Sequence, residues 1–226
     1  MKGKKVLVLG NKPYSNFKLN NIIDSFDIIY RCNLAWPGKN NGTKFGKLAM
    51  CNHIYENFVK KSVSKEQSIK PYENDYDNAY LSDWYDWFQV NKENFDEVFH
   101  QNEQTGNQWN EMLKNYGCPH KFTRTPRTGY STIFRNLINN NSEIYVSSFS
   151  LDDDEIRESI GLKIDKAKSE GSGCHSKSDE TNILTWLHNN EKIDASLCML
   201  EDTEEISIKS NNMKFSKFIL DLVKKK

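Results

Sequence analysis

Residues 4–33 constrain the fold more than any other stretch. Lys4-Lys5-Val6-Leu7-Val8-Leu9-Gly10-Asn11 is a short apolar run closed by a turn. Unbroken runs of this kind belong to parallel strands covered on both faces. Lys18 to Ser25 can form a short helix, and Asp27-Ile28-Ile29-Tyr30-Arg31-Cys32-Asn33 reads as a second strand. A strand, a helix and a strand within about thirty residues make a βαβ unit. The expected fold class is therefore α/β, a Rossmann-type α/β/α sandwich around a mostly parallel sheet. Ligands of such sheets sit beyond the carboxyl ends of the strands, where Gly10, Asn11 and Asn33 fall.

The first turn narrows the ligand. Gly10-Asn11-Lys12-Pro13-Tyr14-Ser15 lacks the second and third glycines of the dinucleotide fingerprint, which disfavours nicotinamide and flavin cofactors. The Gly-x-x-x-x-Gly-Lys-Ser/Thr pattern of P-loop nucleotidases is also missing. Lys and Arg together number 31, as do Asp and Glu, so there is no global basic field to draw nucleic acid.

At 226 residues the chain is expected to be a single domain, 1–226, with residues 60–120 as a lid or acceptor-side insertion within it. No run approaches the ~18 apolar residues of a membrane span, and no secretory leader is expected from the opening residues. The five cysteines, Cys32, Cys51, Cys118, Cys174 and Cys198, are scattered and form no Cys-x-x-Cys pair. A reducing cytosol fits them better than a disulfide framework or a zinc site.

Pro37 to Gly46 is a Gly/Asn-rich loop, and Leu48 to Ile54 reads as a third strand. Asp75 to Tyr116 is acidic and rich in aromatic residues. Two readings stay open for it: helices packing aromatics onto the core, or a platform whose ring faces suit sugars. Further on, Pro126-Arg127-Thr128-Gly129-Tyr130 opens a helical pattern over Ser131 to Asn139, followed by a strand around Ile144-Tyr145-Val146. Asp152-Asp153-Asp154 reads as a helix start, since acids are favoured in a first turn. Gly171-Ser172-Gly173 is a hinge leading to His175, and Asp179 to His188 is amphipathic. Ile193 to Leu200 is expected as the last strand. The tail from Met213 to Lys226 reads as a basic amphipathic helix, either solvated or in peripheral contact with a membrane surface.

Three segments carry a family resemblance. Val8-Leu9-Gly10-Asn11, Ile23-Asp24-Ser25-Phe26-Asp27-Ile28-Ile29-Tyr30-Arg31-Cys32-Asn33 and Gly42-Thr43-Lys44-Phe45-Gly46-Lys47 resemble the large sialylmotif of sialyltransferases. Pro126-Arg127-Thr128-Gly129 with Glu143-Ile144-Tyr145-Val146-Ser147-Ser148-Phe149 resembles their small motif, and His175 with Glu180 their very small motif. The chain departs from the pattern at Arg127, where serine is usual, and at Ser148, where glycine is expected. The cysteines that animal members pair between the large and small motifs have no counterparts. The resemblance implies a GT-A-like variant of the α/β fold and a compact bacterial or viral-type relative. The implied activity is inverting, metal-independent transfer of sialic acid or a related sugar from a CMP-sugar donor to a glycan or glycolipid acceptor, with no cofactor. It also implies donor contacts at Gly10, Asn11, Asn33, Thr128, Gly129, Ser148 and Phe149, and catalytic roles for His175 and Glu180. The expected location is cytoplasmic, with the basic tail at the inner membrane face.

The chemistry of these residues agrees with that implication. A CMP-sugar leaves as a nucleoside monophosphate, whose single phosphate neutral donors can hold: backbone N–H groups at a turn or helix N-terminus, with Asn and Thr side chains. The acceptor hydroxyl must lose a proton as it attacks, which a neutral imidazole accepts near pH 7. Glu180 is expected to orient the loop by reaching back to the capping turn. Asp27 and Arg31 are expected to pair and order their strand end. Tyr116, His120 and Lys121, just before the small motif, are candidates for neutralising the leaving phosphate. Three alternatives stay open: a CMP-Kdo transferase; a nucleotide-diphosphate-sugar transferase using Asp152-Asp153-Asp154 as a metal site; and a non-catalytic nucleotide- or glycan-binding module.

Overall fold

The structure, a computed structural model, describes residues 3–10, 18–38, 41–60, 63–73, 77–100, 106–139, 142–149, 175–201, 207–208 and 214–224. Asn11, Asp152-Asp153-Asp154 and Gly171-Ser172-Gly173 lie outside the described residues.

Five parallel strands form the central sheet: β1 (Lys4–Leu9), β2 (Ile28–Cys32), β3 (Lys47–Met50), β4 (Glu97–His100) and β5 (Ser142–Ser147). Their order is β4-β3-β2-β1-β5. The chain steps outward from β1 through β2 and β3 to β4, then crosses back to place β5 on the other side of β1. That reversal creates a topological switch point between β1 and β5, where α/β sheets bind ligands. The register puts Leu9 beside Ser147 on one side and Arg31 on the other.

Alternation along the strands divides the core between two faces. Val8, Cys32, Ile144 and Val146 face three helices: α5 (Gly106–Asn115), α6 (Thr128–Ile138) and α7 (Lys177–Asn189). Leu7, Leu9, Ile29 and Tyr145 face α1 (Lys18–Ile23), Leu197 and the C-terminal helix α8 (Lys217–Lys224). With helices on both faces, Val6 to Leu9 are buried on both sides of β1, which is why that strand reads as an unbroken apolar run. The α/β/α sandwich expected from residues 4–33 is the fold observed.

A third cluster fills the β3–β4 end. Leu48 and Met50 meet Ile54, Phe58 and, from α4 (Asn78–Asn91), Leu81, Trp84 and Phe88. Phe88 stacks on Trp84 at 5.0 Å between centroids. The aromatic segment thus supplies core and an edge strand. Between α4 and β3 lie α2 (Asn52–Tyr55), which continues as a π-helical turn over Glu56–Lys60, and α3 (Lys65–Ile69), closed by a capping box between Ser64 and Gln67.

Two expectations are corrected. Residues 193–200 do not form a long strand: Asp194 makes a single parallel bridge with Tyr145, and the chain then turns into a 3-10 helix over Ser196–Met199. Two-residue strands β6 (Leu200–Glu201) and β7 (Ser207–Ile208) follow and pair antiparallel. The bridge stops because the next backbone N–H, that of Ala195, is taken by His188 Nδ1 at 3.0 Å, while the Asp194 side chain accepts from Ser196 N. The second correction concerns Arg31. Its charge partner is Asp24, while Asp27 accepts from the backbone N–H of Lys5 at 2.8 Å. Fully buried Arg31 donates to the carbonyls of Lys44 and Phe45, tying the loop before β3. Burial lowers the guanidinium to about 10, against the opposing pull of Asp24.

The C-terminal helix buries Ile219 completely and lays Phe215, Phe218, Leu222 and Val223 on the same cluster as Leu7 and Leu9. Its apolar face is therefore engaged with the protein. Among the described residues no helix is long and apolar enough to cross a membrane.

Candidate active site

The carboxyl ends of β1, β2 and β5 meet the N-terminus of α6. Gly10 follows β1 and donates its N–H to Ser147 O at 2.9 Å, so the turn starts pinned to the neighbouring strand. A side chain at Gly10 would overlap the Ser148 carbonyl oxygen and stand 3.2 Å from Phe149 Cδ2. A side chain at Gly129 would overlap Phe149 Cζ and stand 2.7 Å from Cε1. The Phe149 ring is thus fitted between two glycines from different segments, with Tyr130 edge-on at 5.4 Å. These contacts bring Gly10, Gly129, Ser148 and Phe149 together at the switch point.

Asn33 and Ser148 end their strands with φ of 52° and 62°. The Asn33 side-chain oxygen accepts the N–H of Cys51 at 2.8 Å, and its own N–H donates to Ala49 O. That fixes which way the side-chain amide faces, beyond the end of β2. Ser148 stands where the motif expects glycine, and its left-handed backbone shows why.

Thr128 and Gly129 are the first residues of α6, and both are buried. The first N–H groups of a helix lack intrahelical partners and carry the positive end of its dipole. The Arg127 side chain, at the N-cap, makes no capping bond. It is committed elsewhere: Arg127 Nη1 donates to Glu180 Oε2 at 2.6 Å, and Arg127 N donates to Glu180 Oε1 at 2.8 Å. Glu180 is fully buried. The expectation that Glu180 reaches back to its own capping turn is corrected here. Its carboxylate crosses to residue 127, and Ser176 Oγ caps the helix by accepting from Asp179 N at 3.4 Å.

Two further links, of three bonds in all, run beside that pair. Asp179 Oδ2 accepts from Thr123 N at 2.8 Å and Thr123 Oγ1 at 2.6 Å. His175 Nδ1 lies 2.6 Å from Thr125 O. A carbonyl can only accept, so Nδ1 carries the proton and Nε2 holds the lone pair of the neutral ring. Residues 123, 125 and 127 therefore each hold one point on the start of α7. Pro126 favours this extended strap, because proline pushes the residue before it out of the helical region. Burial tends to raise the Asp179 carboxyl, but the Thr123 and Ser176 hydrogen bonds and the Arg124 charge outweigh it and hold the pKa below the ordinary value.

Of the remaining candidates, Tyr116 is half-buried with Lys192 over its ring at 5.0 Å, and His120 and Lys121 are exposed. Among the described residues no three His, Cys, Asp or Glu side chains gather to hold a metal ion. Thr123 and Thr125 were not anticipated from the sequence, nor was Thr123 as the partner of Asp179. The only signal for them was their place between residues already singled out.

No family model and no curated protein matches the chain. Its fold is similar to that of a mammalian sialyltransferase in complex with Gal-beta-1-3GalNAc-ortho-nitrophenol, at 12% identity over 84% of this chain and 68% of that one, with a TM-score of 0.44. It is similar to a variant of the sialyltransferase CST-II in complex with CMP, at 15% identity over 93% of each chain and a TM-score of 0.44. It is also similar to the sialyltransferase CstII from Campylobacter jejuni in complex with a substrate analogue, CMP-3FNeuAc, at 14% identity over 93% of each chain and a TM-score of 0.42.

Proposed function

We propose that the protein is an inverting, metal-independent glycosyltransferase that moves sialic acid or a related sugar from a CMP-sugar to a glycan hydroxyl. The observation that carries the reading is the meeting of the sialylmotif-like segments at the β1–β5 switch point. Gly10 and Gly129 both close on the Phe149 ring there, Gly10 also meets Ser148, and the strap holding His175 runs directly into the α6 N-terminus.

In this reading Thr128 and Gly129 hold the phosphate through the helix N-terminus, with the amide of Asn33 beside it. Ser148 and Phe149 shape the cytidine end. Nε2 of His175 accepts the proton of the acceptor hydroxyl as its oxygen bonds to the anomeric carbon. The bond from that carbon to the phosphate oxygen breaks, and CMP leaves with the electron pair. Glu180 serves the site by holding Arg127. Residues 60–120 are assigned to the acceptor side. We place the protein in the cytoplasm, with the basic residues of the C-terminal helix toward an anionic membrane face.

The test is a thermal-shift series with CMP, UDP, GDP and ADP, with and without divalent metal, followed by transfer from CMP-sialic acid and CMP-Kdo. A preferential, metal-independent shift by CMP together with transfer is expected. Preference for a diphosphate with metal overturns the donor class. CMP binding without transfer from either sugar donor overturns the catalytic reading in favour of a binding module.

A further inference from the structure

We infer that Arg127 is a positioning residue for His175, acting through Glu180 and the 123–127 strap. The inference rests on the reading of His175 as the general base and adds to it the device that sets which ring nitrogen faces the acceptor.

Three links tie the strap to the start of α7: Thr123 to Asp179, the Thr125 carbonyl to His175, and Arg127 to Glu180. The middle link is a single bond from His175 Nδ1 to a backbone carbonyl. A carbonyl has no conformational freedom of its own, so its direction is set by the residues that flank it. On one side stands the Thr123–Asp179 link, exposed to solvent. On the other stands Arg127–Glu180, with the Glu180 side chain 1% exposed. Both links are charge-assisted, and the buried one is screened less by solvent and salt. Arg127 therefore fixes the end of the strap that leads into Thr128 and Gly129, and with it the direction of the Thr125 carbonyl. The same contact explains the departure from serine at this position. A serine would keep the backbone bond to Glu180 Oε1, but its side chain is too short to reach Oε2 as Arg127 does.

The protonated nitrogen of a metal-free histidine is set by what its other nitrogen meets. If Arg127 releases the strap, the Nδ1–H preference loosens and Nε2 no longer presents its lone pair in one direction.

The experiment reads the His175 tautomer by long-range 1H–15N NMR at a pH where the ring is neutral, alongside steady-state kinetics and CMP titration. Arg127→Lys keeps the charge and the backbone bond and tests the guanidinium contact with Glu180 Oε2. Arg127→Met with Glu180→Gln removes the side-chain link without leaving a buried charge, and so guards against a variant that fails to fold. In the parent, Nδ1 is expected to be the protonated nitrogen. In the folded double variant this preference is expected to be lost and kcat to fall about 10²-fold, the cost of misplacing a reacting group by ~1 Å. CMP affinity is expected to fall far less than kcat, because Thr128 and Gly129 remain in the first turn of α6 while the His175 ring loses its fixed direction. Arg127→Lys is expected to lie between the two. An unchanged tautomer and kcat in the folded double variant overturn the inference, as does an Nε2–H ring in the parent. A fall in CMP affinity that matches the fall in kcat overturns it too, by assigning Arg127 to the donor. If the parent transfers no sugar, the glycosyltransferase reading fails, and the tautomer measurement alone decides the coupling.

Discussion

Asn33 holds Cys51 across the ends of two neighbouring strands: the Cys51 N–H donates to the Asn33 side-chain oxygen at 2.8 Å, while Asn33 itself sits at φ 52°. Asparagine is among the few residues with a side chain that visit this region readily. Asn33→Ala is expected to lose both the bond, worth about 0.5–1.5 kcal/mol, and the backbone tolerance, worth roughly 1–2 kcal/mol. Asn33→Gly should lose only the first. Urea unfolding should therefore rank the parent above Asn33→Gly and Asn33→Gly above Asn33→Ala. Equal midpoints for the two variants would show that the backbone at 33 is not strained. Both variants should also weaken CMP binding, if the amide meets the donor.

Ser148 has the same kind of backbone, at φ 62°, without the side chain that favours it. Ser148→Gly is expected to raise stability by up to about 1 kcal/mol, the relief at a left-handed position exceeding the added freedom of the unfolded chain. A lower denaturation midpoint would mean that the serine side chain contributes more than its backbone costs.

The Phe149 ring supports a sharper test. Gly129→Ala would drive a methyl into that ring, and Gly10→Ala would drive one into the Ser148 carbonyl. Each should cost about 1–3 kcal/mol by overpacking. Shortening Phe149 to Leu should rescue Gly129→Ala but not Gly10→Ala, because the Gly129 clash is with Cζ and Cε1, which leucine lacks, while the main Gly10 clash is with the Ser148 carbonyl. A double-mutant cycle measures the difference, and equal rescue of both variants would refute the placement of the ring.

The parts of this fold that were legible in the sequence share one property: their signal is local. β1 shows as Val6 to Leu9 because both faces of that strand are buried, and α6 shows through Ile133, Phe134 and Leu137 at helical spacing. β4 was hidden. Glu97-Val98-Phe99-His100 is short, lies at the sheet edge and is defined by its pairing with Lys47 to Met50, far away in the chain. In the site, the motif glycines and His175 could be named from the sequence. The partner of Glu180 could not, since Arg127 lies 53 residues away and the pairing depends on how the strap crosses α7. Residues 193–200 carry an apolar pattern that suits a strand, but His188 and Asp194 capture the backbone at Ala195 and Ser196 and turn it away.

Acid should loosen the strap. The Asp179 pKa is held below its ordinary value in the folded protein, near 3.9 for an unperturbed aspartate. A depressed carboxylate contributes stability that is present above the unfolded value and is lost as pH falls through the folded one. Thr123→Val removes the hydroxyl donor and should reduce the depression. The stability gap between parent and Thr123→Val should therefore be widest at neutral pH and narrow below about pH 4. A gap that stays constant from pH 7 to pH 3 would show that the hydroxyl does not act through the charge of Asp179.

His175→Ala should abolish transfer while sparing CMP binding. The nucleotide in our reading is held by Asn33, the α6 N-terminus and the Gly10 turn, whereas His175 touches the strap through Nδ1 and leaves Nε2 for the acceptor. Losing a general base costs roughly 10²–10⁴-fold in rate. The parent's rate should rise with pH as the general base loses its proton, and the variant should lack that limb. Binding and rate must be measured on the same preparation, since the Thr125 carbonyl loses its partner in the variant and the strap could shift. If CMP affinity falls as far as the rate, the histidine works by supporting the pocket. If the variant transfers sugar at the parental rate with the same pH profile, the base lies elsewhere. His120 is then the first to test, being exposed just ahead of the strap, and His100, stacked on Tyr55 at the end of β4, is the second.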